Sequence, residues 1–384
     1  MKKTIALLSL GLGLSLINPS FGLTTEIPLQ EVPITPTELT QLGLDEQLWN
    51  AKGDKQALIK AIDHSLYYLN TSKGRDDYQN YQIEGISRER VYNSLVRFRQ
   101  LLVESRNAQE LQNAVSKEFI FYKSVGDRDT GKVIFTGYYE PIYEASRVQT
   151  AEFRYPLYRK PKNLEQLKTT PRLDLEGKDG LLGKESPLHG YELVWLKDRF
   201  RAFLVQVQGS ARLQLTDGTT MTIGYDGSTD FPYTSIGKEL VKDGKQPSEG
   251  LTLPILISYF QQYPQELDAY LPRNERFVFF KETNGAPARG SIGVPVTAER
   301  SIATDKSIMP PGALALIYTR MPYYNQKGEL TTPFVSRYVL DQDTGSAIKG
   351  PGRVDIFMGS GKLAGDRAGV IGWEGDLYYL LLKK

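Results

Sequence analysis

The C-terminal part of the chain is a succession of short apolar runs, at 277–280, 313–318, 337–340, 353–357 and 377–382, separated by turns that carry glycine or proline. Runs of this length suit strands. Short strands joined by glycine turns point to a compact β unit closed on itself and not to a parallel α/β array. Within it, residues 338–384 concentrate the polar chemistry: Asp341-Gln342-Asp343-Thr344-Gly345, Ala347-Ile348-Lys349-Gly350 and then Asp355 follow one another among glycines. Acids at strand ends beside glycines build active-site rims. They also furnish ordinary turns, and the pattern alone leaves both readings open.

Upstream, the chain of 384 residues has room for about one to three domains. Its 47 Lys and Arg nearly balance its 45 Asp and Glu, so no net field points at nucleic acid or an anionic membrane. Lys2 and Lys3, the apolar run 5–17, Asn18-Pro19 and the small residues Ser20 and Gly22 form the pattern of an export signal over 1–22, cut after Gly22. The run is short for a membrane span. Cysteine is absent, so an anchor through a lipidated cysteine is not expected. An exported protein of the periplasm or outer envelope follows.

Spaced prolines over 23–50 suggest an extended or poorly ordered lead-in. Leu58, Ile62, Leu66 and Leu69, then Val91, Leu95, Phe98 and Leu102, then Leu111, Val115, Phe119 and Phe121 recur at helical spacing, with Ser87 as a helix start. These helices would cover the β core, and His64 in the first of them reads as a surface or half-packed residue. Strand signals begin at 132–136 and run into Gly137-Tyr138-Tyr139-Glu140-Pro141. Pro141 ends regular pairing, and the aromatic pair with Glu140 points either into a cleft or onto the core. The segment 200–207 reads as an alternating strand continuing through Ser210 and Arg212, which would put Gln206, Gln208, Ser210 and Arg212 on one face. That face is either a wall of donors or a solvated strand surface. Thr216-Asp217-Gly218 marks a hairpin, and 236–241 and 255–262 read as short helices.

With no cysteine and two histidines, thiolate nucleophiles, disulfides and cysteine-held metals are excluded, and His189 has no neighbouring imidazole. Carboxylates are the main supply of acid–base chemistry, and they suit glycosidic cleavage. Asp343 and Asp355 are the pair to test, with Glu140, Glu282, Glu299, Asp341 and Asp366 in reserve. Asp355 opens an apolar strand, where burial raises a carboxyl pKa toward that of a working acid. Asp343-Thr344-Gly345 also invites an aspartic-protease reading, but no second matching triplet stands in a repeated lobe. Gly359-Ser360-Gly361-Lys362 lacks the spacer and following hydroxyl of a phosphate loop.

Five blocks, taken in order, resemble one family: Thr136-Gly137-Tyr138-Tyr139-Glu140-Pro141, residues 206–212, Phe279-Phe280-Lys281-Glu282, residues 293–303 and residues 342–369. The chain resembles the MltA family of membrane-bound lytic murein transglycosylases. The resemblance implies a mainly β fold with N-terminal helices, a double-psi β-barrel (3D) domain and a second, inserted β domain. The expected division is a signal at 1–22, then lead-in, helices and first barrel part at 23–141, the insert at 142–272, and the rest of the barrel at 273–384. It also implies cleavage of the β-1,4 bond between N-acetylmuramic acid and N-acetylglucosamine without water, the muramyl C6 hydroxyl closing on C1. Asp355 corresponds to the family's essential aspartate and Asp343 to its supporting neighbour.

Tyr138, Tyr139, Glu140, Gln206, Gln208, Ser210 and Arg212 become groove candidates by the same resemblance, and Lys349 either orients the acids or forms an ion pair of the fold. The reaction needs no metal or cofactor. Peptidoglycan strands are the expected partner of a monomer, with no nucleic acid and with cell-wall synthesis or division proteins as protein partners. The rivals are a hydrolytic muramidase and a noncatalytic peptidoglycan-binding envelope protein.

Overall fold

In a computed structural model, residues 27–50, 53–79, 81 and 83–384 are described, and the expected export signal lies outside them. The chain opens with β1 (Leu29–Val32) and α1 (Pro36–Leu42), then α2 (Lys55–Leu69), α3 (Ser72–Gln79), α4 (Arg88–Glu104) and α5 (Ala108–Glu118), and continues into β2 (Phe119–Ser124) and β3 (Val133–Glu140). The lead-in is therefore structured where an irregular segment was expected. β1 pairs antiparallel with β2, and Thr35 and Glu38 cap α1 reciprocally, partners that composition does not advertise. Ser87 caps α4 by accepting from the Arg90 amide at 3.2 Å, as its position predicts. Phe119 and Phe121 continue the apolar spacing of α5 but belong to β2, because a ladder with the C-terminal strand claims their backbone.

Asp54 stands at the N-cap position of α2 yet makes no cap bond. Its carboxylate meets the buried Arg300 guanidinium instead, at 2.6 and 2.7 Å, and Asp45 takes the same guanidinium at 2.5 Å. This ion cluster fastens the helical cover to the core.

A second unit follows: β4 (Ile142–Ser146), β5 (Tyr155–Tyr158), α6 (Leu164–Leu167), α7 (Arg172–Glu176), β6 (Glu192–Leu196), α8 (Arg199–Gln208), β7 (Ser210–Leu215), β8 (Thr220–Ser228), α9 (Ile236–Lys242), α10 (Leu253–Gln262), α11 (Leu267–Tyr270) and β9 (Val278–Glu282). Its strands form one sheet in the order β5-β6-β4-β7-β8-β9 over a core that includes Leu157, Val194, Val205, Leu213, Ile223 and Phe280. β9 pairs with β8, so this sheet reaches past residue 272 to Glu282. The expected strand at 200–207 is helix α8. Asp198 caps it by accepting from the Arg201 amide at 2.7 Å, and Gly209, at φ 78°, ends it. Phe200, Ala202, Phe203, Leu204, Val205 and Gln206 are all buried, so no polar face marks the helical period and the segment mimics alternation. Gln206 and Gln208 accordingly sit on a helix while Ser210 and Arg212 sit on β7, not on one strand face.

The chain then makes β10 (Ser301–Ala303), β11 (Leu314–Arg320), β12 (Tyr323–Tyr324), β13 (Leu330–Thr331), β14 (Phe334–Asp343), β15 (Arg353–Ser360), α12 (Lys362–Ala368) and β16 (Gly372–Leu382). Strands β16-β11-β14-β10-β15-β3 hydrogen-bond in that order and β3 returns to β16, which closes a six-stranded barrel; β2 and β1 extend it outward from β16. Ile317, Val339, Leu340, Val354 and Ile356 are buried in the core shared by barrel and helices. α12 packs directly on β3 at Gly137, where a Cβ would lie 2.8 Å from the Ala368 Cα. N-terminal helices, a closed barrel and an inserted β unit are the fold class that the sequence implied.

Candidate active site

The site is built on β10, the shortest strand of the barrel. Ala303 is in register with Asp343 of β14 on one side and with Asp355 of β15 on the other. The β10–β14 ladder shifts register between Ile302 and Ala303, and the two acids stand on the strands either side of β10, with backbones two strand spacings, roughly 10 Å, apart. Beyond Asp355, β15 pairs with β3, which sets Asp355 opposite Thr136 and Phe357 opposite Tyr138.

Asp355 is half-buried, and its Oδ1 is wholly buried with no hydrogen-bond partner. Burial pushes its pKa from 3.8 to about 7; the Thr136 hydroxyl and the Arg353 guanidinium pull the other way, and the Asp343 carboxylate adds to the rise. Such a group holds a proton near neutrality and presents an oxygen that awaits a partner. The same shift has a consequence for stability. A folded-state pKa above the unfolded one favours the folded state while the group stays protonated, so this contribution is present below 3.8 and is lost as pH rises through about 7. Asp355→Asn, which never ionises, is expected to match wild type in thermal stability at acid pH and to exceed it above about pH 7. Melting curves of the two proteins across pH check this, and parallel curves would remove the buried-acid reading.

Asp343 has the opposite surroundings. Its Oδ2 accepts from the Tyr138 hydroxyl at 2.8 Å, and its Oδ1 accepts from the amides of Ser291 at 2.9 Å and Thr344 at 2.8 Å. Burial raises its pKa, and these donors oppose the rise by favouring the anion. The net shift of Asp343 is upward as well, and the two carboxyls differ in having or lacking hydrogen-bond donors on their buried oxygens. The Tyr138 ring packs on Phe357 with centroids 5.2 Å apart, which orients its hydroxyl toward Asp343. Ser291 reaches Asp343 because Gly290 lies so close to β14 that a Cβ there would stand 2.2 Å from the Gln342 carbonyl oxygen.

Several of the expected groove residues join the two units. The Tyr139 amide donates to Gln208 Oε1 at 2.9 Å. Glu140 is buried and accepts from Arg212 Nε at 2.7 Å and from the Ser360 hydroxyl at 2.6 Å, while the Arg212 amide donates to the Pro141 carbonyl at 2.9 Å. Gln206 is buried inside the second unit, where its carbonyl accepts from Arg172 at 2.8 Å and from the Val278 amide at 3.3 Å. Ser210 is half-buried at the start of β7, paired with Gly224. Lys349 is exposed, with its ammonium 3.9 Å from Asp305.

The reserve acids are also accounted for. Glu299 meets Arg367 at 2.7 Å, Asp366 meets Lys362 at 2.7 Å, and Glu282 lies 4.0 Å from Arg147. Asp341 is buried among Thr304, Lys306 and Tyr379. Among the described residues, Asp355 Oδ1 is the one carboxylate oxygen buried without a partner.

Three residues enter the site without having been assigned to it from sequence. Thr136 faces Asp355 only through strand register, and Ser291 was visible merely as a residue in a glycine-rich loop. Tyr233 precedes α9 in the second unit, and burial, with a smaller contribution from the Asp355 charge, pushes its hydroxyl up to about 12. Nothing local in the sequence marks it.

A closed barrel that sets a proton-holding aspartate beside a hydrogen-bonded one, with an inserted β unit reaching the acid, has the make-up of a carbohydrate-cleaving acid–base enzyme. Residues 134–281 match the family model described as the MltA specific insert domain, and residues 300–381 match the 3D domain. The chain is 32% identical over 257 residues to the membrane-bound lytic murein transglycosylase A of Escherichia coli K12, a match covering 66% of this chain and 67% of the relative. Its structure resembles that of E. coli MltA with bound chitohexaose, with a TM-score of 0.68 and 26% identity over 86% of this chain and 90% of the other. It likewise resembles the membrane-bound lytic murein transglycosylase of Agrobacterium tumefaciens, with a TM-score of 0.68 and 25% identity over 93% and 98% of the two chains. The chain belongs to the MltA family of lytic murein transglycosylases.

Proposed function

We propose that the protein cleaves the β-1,4 bond between N-acetylmuramic acid and N-acetylglucosamine in peptidoglycan as a lytic transglycosylase, with Asp355 as its acid and base. The buried, unpartnered Asp355 oxygen and a pKa of about 7 carry this reading. Protonated Asp355 gives its proton to the glycosidic oxygen as the bond to C1 breaks, and the N-acetylglucosamine side leaves as an alcohol. The resulting carboxylate removes the proton of the muramyl C6 hydroxyl, whose oxygen closes on C1 to form the 1,6-anhydro ring. Asp355 ends protonated, as it began. One group serves both steps because the nucleophile is internal to the substrate and needs no separately activated water. Asp343, held as an anion by Tyr138 and the Ser291 and Thr344 amides, resists loss of the Asp355 proton before the bond breaks.

The glycan lies between the barrel face and the second unit, where Tyr233 approaches Asp355; chitohexaose, the ligand of the E. coli relative, is a glycan of the same linkage class. The place of work is the periplasm or outer envelope, where this substrate is found. The protein acts as a monomer, since one chain holds the barrel, the second unit and both acids.

Mass analysis of the products from purified sacculi tests the reading. Muramyl ends lighter by one water support it. Ordinary reducing ends would instead make the protein a hydrolytic muramidase, and binding to sacculi without products would make it a noncatalytic wall-binding protein. A second test concerns the support of Asp343. Gly290→Ala forces a methyl into the Gln342 carbonyl and draws the Ser291 amide away from Asp343, so the yield of anhydro ends is expected to fall about a hundredfold, the scale of a one-ångström misplacement. A variant that folds and retains full yield would show that the Ser291 contact has no part in turnover.

A further inference from the structure

Asp341 precedes Asp343 by two residues on β14 and is fully buried. Its Oδ2 accepts from the hydroxyls of Thr304 and Tyr379, each at 2.7 Å, and its Oδ1 meets the Lys306 ammonium. That ammonium also donates to the Thr304 hydroxyl at 3.0 Å. The turn 304–306 in its turn grips the loop that follows β14. The Thr304 amide donates to the Asp343 carbonyl at 3.1 Å, the Thr344 hydroxyl donates to the Thr304 carbonyl at 2.8 Å, and the Gly350 amide donates to Asp305 at 2.9 Å. None of these contacts is needed by the proton transfers assigned to Asp355.

We infer that Lys306 is a positioning residue for the reaction: by bridging Asp341 and Thr304 it fixes the end of β14, the strand that carries Asp343. The inference rests on the proposed function and deepens it.

The groups facing this cluster support that assignment. Asp341 is approached by the Lys306 ammonium from the turn after β10 and by four tyrosines whose pKa burial raises: Tyr379 of β16, Tyr68 of α2, Tyr78 of α3 and Tyr81. Asp343 is approached by Tyr138 of β3, Asp355 of β15 and Lys306. Lys306 is thus the cation that acts on both Asp341 and Asp343, whereas Arg353 acts on Asp355. Without it, burial leaves Asp343 protonated to higher pH. Asp343 and Asp355 titrate as a pair, and with a cation removed the pair gives up its last proton at higher pH.

The test compares the pH profile of anhydro-product formation in wild type, Lys306→Met, Lys306→Gln and Lys306→Arg. The alkaline limb is expected to move toward higher pH by about half a unit in the two neutral variants, the scale of one charge acting through protein, and to stay near its wild-type position in the arginine variant. Carboxyl NMR titration of the same proteins reads Asp355 without turnover, its signal being identified by its loss in Asp355→Asn. Neutral variants whose normalised profiles and Asp355 titrations superimpose on wild type would overturn the inference. So would failure of both neutral variants to fold while Lys306→Arg folds, since Lys306 would then serve the fold alone. A wild type that makes no anhydro ends, yet shows the shifted titration in the neutral variants, would overturn the reaction and leave the electrostatic placement standing.

Discussion

Asp355→Asn is expected to lower the yield of anhydro-muramyl ends from sacculi by roughly three orders of magnitude or more. General acid or base catalysis by one group contributes about a hundredfold to ten-thousandfold, and here one carboxyl is asked to do both. Asparagine keeps the size of the side chain and its place opposite Thr136 and Ala303, so the barrel face is retained. It has no proton of suitable acidity to give to the glycosidic oxygen and no basicity to take the C6 proton. Binding to sacculi is therefore expected to survive while product is lost, and the pair of measurements separates chemistry from recognition. Equal product yields from variant and wild type would reject the role assigned to Asp355. Asp343→Asn is the informative companion: it removes a stabilised anion and not the proton carrier, so a smaller loss is expected.

Arg300→Met is expected to destabilise the protein by about 3–5 kcal/mol, the usual effect of breaking a buried pair from one side. The Arg300 side chain is 0% exposed and that of Asp45 is 1% exposed. The guanidinium also donates to the Tyr338 carbonyl at 2.9 Å, and Asp45 accepts from the Tyr338 amide at 2.9 Å. Methionine fills much of the volume but leaves the buried Asp45 with only the Arg337 guanidinium, at 3.3 Å, and the half-buried Asp54 without its cation. Lysine restores a charge without the planar fork that serves two carboxylates at once, so Arg300→Lys should recover only part of the loss. Denaturant unfolding measures both. A loss below about 1 kcal/mol for the methionine variant would mean that apolar packing alone docks the helical cover. The effect should extend to the site, because the Arg300 carbonyl accepts from the Leu340 amide at 2.8 Å and Arg300 leads directly into β10. Arg300 therefore ties the N-terminal helices to the strand that separates the two catalytic-site acids.

Much of the fold was legible in sequence because its signals were local. Ser87 announced α4, the glycine-separated apolar runs announced a closed β unit, and Thr216-Asp217-Gly218 announced the β7–β8 hairpin. α8 was not legible, since a helix buried on nearly every side carries no polar stripe. At the start of α2, Asp54 stands at the N-cap position, but Arg300, far along the chain, takes its carboxylate. At the site, the choice of Asp355 came from the scarcity of other acid–base groups and from the order of the matching blocks. The grouping of Gln206, Gln208, Ser210 and Arg212 came from an assumed strand and did not outlast it. Glu140 and Arg212 were read as candidates to meet the glycan, and the structure engages them with each other at the junction of the two units.

The amino-acid sequence by itself determined which chemistry was open to this protein: carboxylates and no thiolates, on a β unit built from short strands, with Asp343 and Asp355 as the pair to test. That information is written in residue type and in spacing over a few positions, so it survives without coordinates. Only the tertiary structure decided that Asp355 is the carboxyl with a buried, unpartnered oxygen, that Asp343 accepts from Tyr138 and from the Ser291 and Thr344 amides, and that Thr136 stands opposite Asp355. The reason is physical. Desolvation, strand register and the field of a charge depend on groups brought together from distant parts of the chain, and two aspartates of equal intrinsic acidity become unlike only after the barrel has closed around them.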